Sequence, residues 1–113
     1  MPLSSENLFI DIASALIDIE AELRQLNLWE TQIPPAEALA STEPFCVDTL
    51  SFTQWLQFIF IPRMYALVNA EQLPPGRCEI KPLAEEYFRS SRLNVARLQQ
   101  ALGRLDALIN REV

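Results

Sequence analysis

Six apolar residues near the start of the chain, Leu8, Ile12, Leu16, Ile19, Leu23 and Leu26, recur at three- and four-residue spacing. That period gathers them on one stripe of an α-helix, whereas on a strand it would scatter them over both faces. The spacing predicts a helix from about Glu6 to Leu26, with Ser4 or Ser5 capping its free amides and Glu6 at the positive end of its dipole. Such a helix is about 30 Å long, the width of a small domain, so the rest of the chain must pack along it. A second stripe, Val95, Leu98, Leu102, Leu105 and Ile109, closes the sequence, and Ser91 is placed to cap that helix.

Composition agrees with an all-α reading. The chain has only two glycines, Gly76 and Gly103, too few for a turn-dense β-sandwich or a glycine-rich phosphate loop. With 113 residues, half of them hydrophobic, it is expected to form one domain around one core, residues 1–113. The net charge of −6, with no basic run, argues against direct nucleic-acid binding, which draws much of its affinity from phosphate neutralisation. The charge is also unevenly placed. Residues 4–27 carry Glu6, Asp11, Asp18, Glu20 and Glu22 against Arg24, for −4, whereas residues 91–113 carry a net +2. The two terminal helices should therefore attract one another.

Between the stripes the sequence is less regular. Residues 27–50 hold Pro34, Pro35 and Pro44 and at most one short turn around Pro35 to Leu39, so a long ordered loop is expected, packed by Trp29 and Phe45. Ser51-Phe52-Thr53-Gln54 reads as a capping box, with Leu50 and Trp55 as the hydrophobic staple of a second helix. That helix, Phe52 to Val68, is apolar almost all round, which predicts a buried central element kinked at Pro62. Asn69 to Lys81 reads as a loop turning at Pro74-Pro75-Gly76, and Pro82 to Arg89 as a third, shorter helix. The expected architecture is a four-helix bundle with the second helix in the middle and the first and last flanking it.

Several chemistries have little to work with. There is no histidine, so neither the usual zinc spacings nor the Glu-x-x-His pair of di-iron bundles can be assembled, and Glu79, Glu85 and Glu86 read as a solvated helix start. No metal or other cofactor is expected. Cys46 and Cys78 lack Cys-x-x-Cys spacing and read as buried or free thiols. The N-terminus lacks a basic n-region, and the apolar run from Trp55 to Val68 is interrupted and too short to span a bilayer, so a cytoplasmic protein is expected. Arg104-Leu105-Asp106 is similar to the tripeptide that carries the catalytic aspartate of pseudouridine synthases. Leu105 belongs to the last apolar stripe, however, and a strandless domain offers no sheet-based site, so no catalytic residue is assigned.

What remains is a polar and aromatic cluster, Phe45, Asp48, Gln54, Trp55, Gln57, Arg63, Met64 and Tyr65, of which all but Gln57 are candidate partner-binding residues. Tryptophan, tyrosine, methionine and arginine are the types enriched at the anchors of protein interfaces. Arg63 is the only charged residue between Ser51 and Ala70, so it must reach solvent, pair with a carboxylate, or bind something. Two readings follow: a surface that docks a protein partner, or a small-molecule or enzymatic pocket near Trp55, Arg63 and Tyr65. A flat apolar patch with an arginine rim would favour the first, a deep pocket with convergent polar groups the second.

The same region carries a family resemblance. Ser41-Thr42-Glu43-Pro44-Phe45, Asp48-Thr49, Gln54-Trp55-Leu56-Gln57 and Ile61-Pro62-Arg63-Met64 together resemble the signature of the YqcC-like family of small bacterial proteins. The resemblance covers most of the chain, including the leucine-striped first helix and the Leu105-Asp106-Ala107-Leu108 segment of the last. It implies a helical bundle, carries no catalytic residue across, and implies an association with tRNA pseudouridine synthase C, a name sometimes attached to the family. An accessory or interaction protein, partnered with an RNA-modification enzyme, is the functional expectation. Cys46-Val47 stands where a larger side chain is expected, so neither cysteine takes a role from the resemblance.

Overall fold

The first stripe forms the predicted helix, α1 (Ser5–Gln25), and the side chains of Ile12, Leu16, Ile19 and Leu23 are fully buried. The structure is a computed structural model that describes residues 5–111, with side chains from Asn7 onward. The cap expected on Ser4 or Ser5 and the Glu6 side chain therefore fall outside what is described. The other end of α1 closes without glycine. Asn27 takes a left-handed backbone (φ 59°), so the Leu28 amide reaches Leu23 O at 2.8 Å and its own amide reaches Arg24 O at 3.1 Å.

The long connection is ordered, as expected, and holds a single turn, α2 (Ala36–Leu39), followed by a 3-10 turn (Pro44–Cys46). Its main tether is Gln57. The side-chain oxygen of Gln57 accepts the Glu30 amide at 2.9 Å and its nitrogen donates to Glu30 O at 2.8 Å, which pairs both backbone groups of one loop residue. Trp29 lies beneath the Arg24 guanidinium, 4.7 Å from ring centre to carbon.

The capping box forms as read. Ser51 Oγ accepts the Gln54 amide at 3.1 Å, and Gln54 Oε1 accepts the Ser51 amide at 2.9 Å. It opens a continuous rod built of α3 (Phe52–Trp55), a π-helical stretch (Leu56–Phe60) and α4 (Ile61–Asn69). The expected kink at Pro62 is expressed as that π-helical stretch, one turn earlier. Pro62 has no amide to donate and its ring crowds the carbonyl four residues back, and a widened turn relieves both.

Two further boundaries differ from expectation. The third helix, α5 (Ile80–Tyr87), begins two residues before Pro82 because a carboxylate from another helix caps it. The last, α6 (Ala96–Asn110), begins beyond Ser91, whose hydroxyl instead accepts the Leu93 amide at 3.1 Å, while Asn94 Oδ1 accepts the Ala96 amide at 3.2 Å. Gly76, at φ 76°, turns the chain after Pro74-Pro75.

Packing order is where the fold departs most from the reading. Helix α1 packs against α6 on one side and α4 on the other, and α5 packs on α6. The middle of the bundle is therefore the α1–α6 pair, and the rod of residues 52–69 is a flank. The predicted attraction of the terminal helices is present, with Arg104 Nη1 3.6 Å from Asp18 Oδ2. Both side chains are well exposed, so this pair sets register more than stability. The reason for the misplaced centre is physical: Pro62 and Arg63 turn one side of the rod to solvent, while Leu56, Ile61 and Met64 on other sides are buried.

Candidate functional site

One side of the rod lines an open groove whose lining residues Trp55, Phe60 and Met64 are almost fully buried. Its walls are Trp55, Phe60, Met64 and Leu67 from the rod, Pro74-Pro75 from the following loop, and Ile80 and Leu83 of α5, around a cavity of about 430 Å³. The 3-10 turn delivers Phe45 to its edge. A second apolar hollow of about 380 Å³, lined by Val47, Leu50, Phe52 and Tyr87, continues beyond, and Phe45 and Leu83 border both.

Phe45 is held there against its backbone preference. It and Cys46 sit in the left-handed region at φ 57° and 50°, which is uncommon for residues with a side chain. The surrounding turn over-determines the conformation. Cys46 N donates to Glu43 O at 3.0 Å, Leu50 N to Cys46 O at 2.8 Å, and the Thr49 hydroxyl to Ala38 O at 2.7 Å. Ser41 Oγ donates to Asp48 Oδ1 at 2.6 Å and accepts the Glu43 amide at 3.1 Å. The outcome is a phenyl ring packed edge-on against Trp55, with centroids 5.0 Å apart and planes at 81°, yet still 44% exposed. Trp55 in turn meets Phe60 at 5.1 Å, and Phe52 meets Tyr87 at 5.5 Å, so aromatic contacts run the length of the two hollows.

Of the seven residues read from sequence, four meet here: Phe45, Trp55, Arg63 and Met64. The other three are placed elsewhere. Asp48 closes the turn that carries Phe45, and Gln54 serves the capping box and donates to Glu30 Oε1 at 3.3 Å. Tyr65 lies half-buried on the rod's other side, where burial and then the Glu20 carboxylate hold its pKa above the ordinary 10.0. The expected pocket near Trp55, Arg63 and Tyr65 is therefore lined by the first two only.

Sequence reasoning missed the far wall. Pro74-Pro75 was legible only as a turn signal, although two adjacent prolines also make a rigid apolar surface. It also missed the use made of Asp106, which lies buried on α6. Oδ1 accepts the Ile80 amide at 2.9 Å and the Cys78 thiol at 3.2 Å, and Oδ2 accepts the Lys81 amide at 2.8 Å. Asn110 adds a pair to the backbone of Cys78, accepting its amide at 2.8 Å and donating to its carbonyl at 2.7 Å. Asp106, the last residue of the Arg104-Leu105-Asp106 tripeptide, thus fixes the start of α5 and with it the groove wall.

Polar groups at the groove mouth are few. Arg77 is held by Glu79 at 3.0 Å, while Arg63 is exposed and joins no ion pair among the described residues. Burial, then the Asp106 hydrogen bond, pushes the Cys78 thiol up to about 12, so it is a poor nucleophile. Both cysteines are free, and no group of three metal-ligating side chains occurs among the described residues. A separate cleft between α1 and α6, about 550 Å³, is lined by Asp18, Glu22, Arg97 and Arg104, whose charges offset one another. No helix among the described residues is long and apolar enough to cross a membrane.

Comparison with known proteins places this arrangement. Residues 11–108 match a family model described as tRNA pseudouridine synthase C. An uncharacterized protein of Haemophilus influenzae is 43% identical over 93 residues, covering 82% of this chain and 84% of that protein. The YqcC protein of Escherichia coli is 34% identical over 90 residues, covering 80% and 83%. The solution NMR structure of YqcC from E. coli superposes with a TM-score of 0.82 at 30% identity, over 94% of this chain and 91% of that one. A Pectobacterium carotovorum protein named tRNA pseudouridine synthase C is 42% identical over 73 residues, which are 65% of this chain but 19% of that protein.

Proposed function

This chain belongs to the YqcC-like family, and from that premise we propose that it is a non-catalytic docking protein whose apolar groove holds a partner, and that the partner is a tRNA pseudouridine synthase. The observation that carries the docking reading is the groove itself. A protein of this size rarely leaves Val47, Tyr87 and a strained Phe45 exposed together around joined apolar hollows unless something covers them. The mouth has one paired arginine and one unpaired arginine, not the convergent polar groups that orient a small substrate.

The choice of partner rests on the Pectobacterium relative. A segment similar to this chain forms about a fifth of a protein named for the synthase, so four-fifths of that polypeptide lies beside it. Two units joined in one protein commonly work together when they are separate. The net charge of −6 also suits a partner that must itself be basic to hold RNA. The test is to mix the chain with the synthase of the same organism and measure binding by calorimetry. A complex is expected, weakened by tenfold or more in Phe45→Ala with little change in melting temperature. No detectable complex at tens of micromolar, roughly the weak end of specific association, would end the synthase reading.

A further inference from the structure

We propose that residues 42–47 form a strained latch that opens locally, swinging Phe45 off Trp55, baring the Cys46 thiol and removing the divider between the two apolar hollows. The inference involves no partner and stands apart from the docking reading. It starts from the ends of the segment. Ser41 Oγ donates to Asp48 Oδ1 at 2.6 Å, and the Thr49 hydroxyl donates to Ala38 O at 2.7 Å, so both ends are pinned. Between them Thr42, Glu43, Pro44, Phe45 and Val47 are exposed, while Cys46 is buried, at 6%. A pinned base under an exposed tip confines opening to the tip.

The tip carries strain that an open state sheds. Phe45 (φ 57°, ψ 19°) and Cys46 (φ 50°) are consecutive left-handed residues, and neither is glycine. The hydrogen bonds made by residues 42–47 among the described residues all run within 41–50. They shape the turn but do not tie it to the body of the protein. Packing does that, through the Phe45 ring set edge-on to Trp55 at 5.0 Å and the Cys46 side chain in the core. Strain thus opposes two small contacts, one of them made by a ring that water already reaches. Opposed effects of similar size leave a minor open state, on the order of 0.1–10% of molecules. Phe45 borders the hollows of about 430 and 380 Å³, so its departure leaves them continuous along Leu83 and turns the Trp55 edge to water.

Cys46 reports the opening, and Cys78, buried and bonded to Asp106, is the control in the same chain. The experiment is iodoacetamide labelling of the native protein at pH 8 in dilute urea, with each cysteine followed by peptide mass spectrometry. Cys46 is expected to label at a rate that urea below the unfolding transition does not change, whereas Cys78 labels only as the whole protein unfolds. Phe45→Ala, which keeps the strain and removes the ring, should speed Cys46 labelling about tenfold and leave Cys78 unchanged. Phe45→Gly also removes the ring but suits a left-handed backbone, so Cys46 should label about threefold more slowly in it than in Phe45→Ala. A loop that is merely mobile gives the reverse order, and that result would overturn the latch. So would joint labelling of Cys46 and Cys78 with one urea dependence in the native chain, a measurement that needs no variant. Cys46 reacting as fast as a free thiol would overturn it too, because no closed state would then exist.

Discussion

The carboxylate of Asp106 on α6 and the amide of Ile80 at the start of α5 meet at 2.9 Å, and the helix that walls the groove begins where that contact puts it. The neighbouring Lys81 amide and the Cys78 thiol use the same carboxylate. Removing the acceptor strands buried donors at a helix N-terminus, where a charged cap is most stabilising. Asp106→Ala is expected to cost roughly 3 kcal/mol in urea denaturation, and Asp106→Asn less, since it keeps one acceptor oxygen. A loss below about 1 kcal/mol for the alanine variant would show that the cap is replaceable by water.

The Gln57 tether makes a parallel claim for the long connection. Gln57→Leu keeps apolar bulk but leaves both backbone groups of Glu30 unanswered, so a loss of about 2 kcal/mol is expected. Proteolysis should then fall first within residues 27–50. Unchanged cleavage kinetics would mean that the Phe45 turn alone orders the connection.

These two contacts also mark how far the sequence could be read. The stripes of α1 and α6 and the Ser51–Gln54 capping box are local patterns, and each formed because neighbours along the chain dictate it. Asp106 and Gln57 act across 26 and 27 residues, on backbone atoms that a sequence does not display. The rod misled for a related reason. Its apolar residues are covered largely by this chain's own core, as Leu56, Ile61 and Met64 are, but sequence cannot say at which place in the bundle that cover is met. Phe45, Trp55, Arg63 and Met64 were legible by residue type. Leu83 belongs to the groove because Asp106 sets where α5 starts, and Pro74-Pro75 because the loop before it folds back against the rod.

Cys78 gives a pH-dependent outcome. Its folded pKa of about 12 lies above the ordinary 9.0, so the neutral thiol is favoured in the folded state. The stability this contributes is fully present below about pH 9 and is lost as pH rises toward 12, because the unfolded chain ionises first. At pH 8, Cys78 should resist iodoacetamide until urea unfolds the protein. Rapid labelling of the native protein at that pH would contradict the buried, hydrogen-bonded thiol.

Arg63→Ala should change stability by less than about 1 kcal/mol, because the side chain is exposed and no carboxylate among the described residues loses a partner. Urea denaturation decides the point. A loss of 3 kcal/mol or more, the signature of a broken buried pair, would move this residue from the groove rim to the core.

The groove as a docking surface is tested most directly by nuclear magnetic resonance, titrating unlabelled synthase into the isotope-labelled chain. The account expects the largest shifts at Phe45, the Trp55 indole, Arg63, Met64 and Leu83, with the exposed α1 residues Ile10 and Ile17 unmoved. Saturating synthase that leaves the groove resonances in place, or that moves only the α1 and α6 faces, would contradict it.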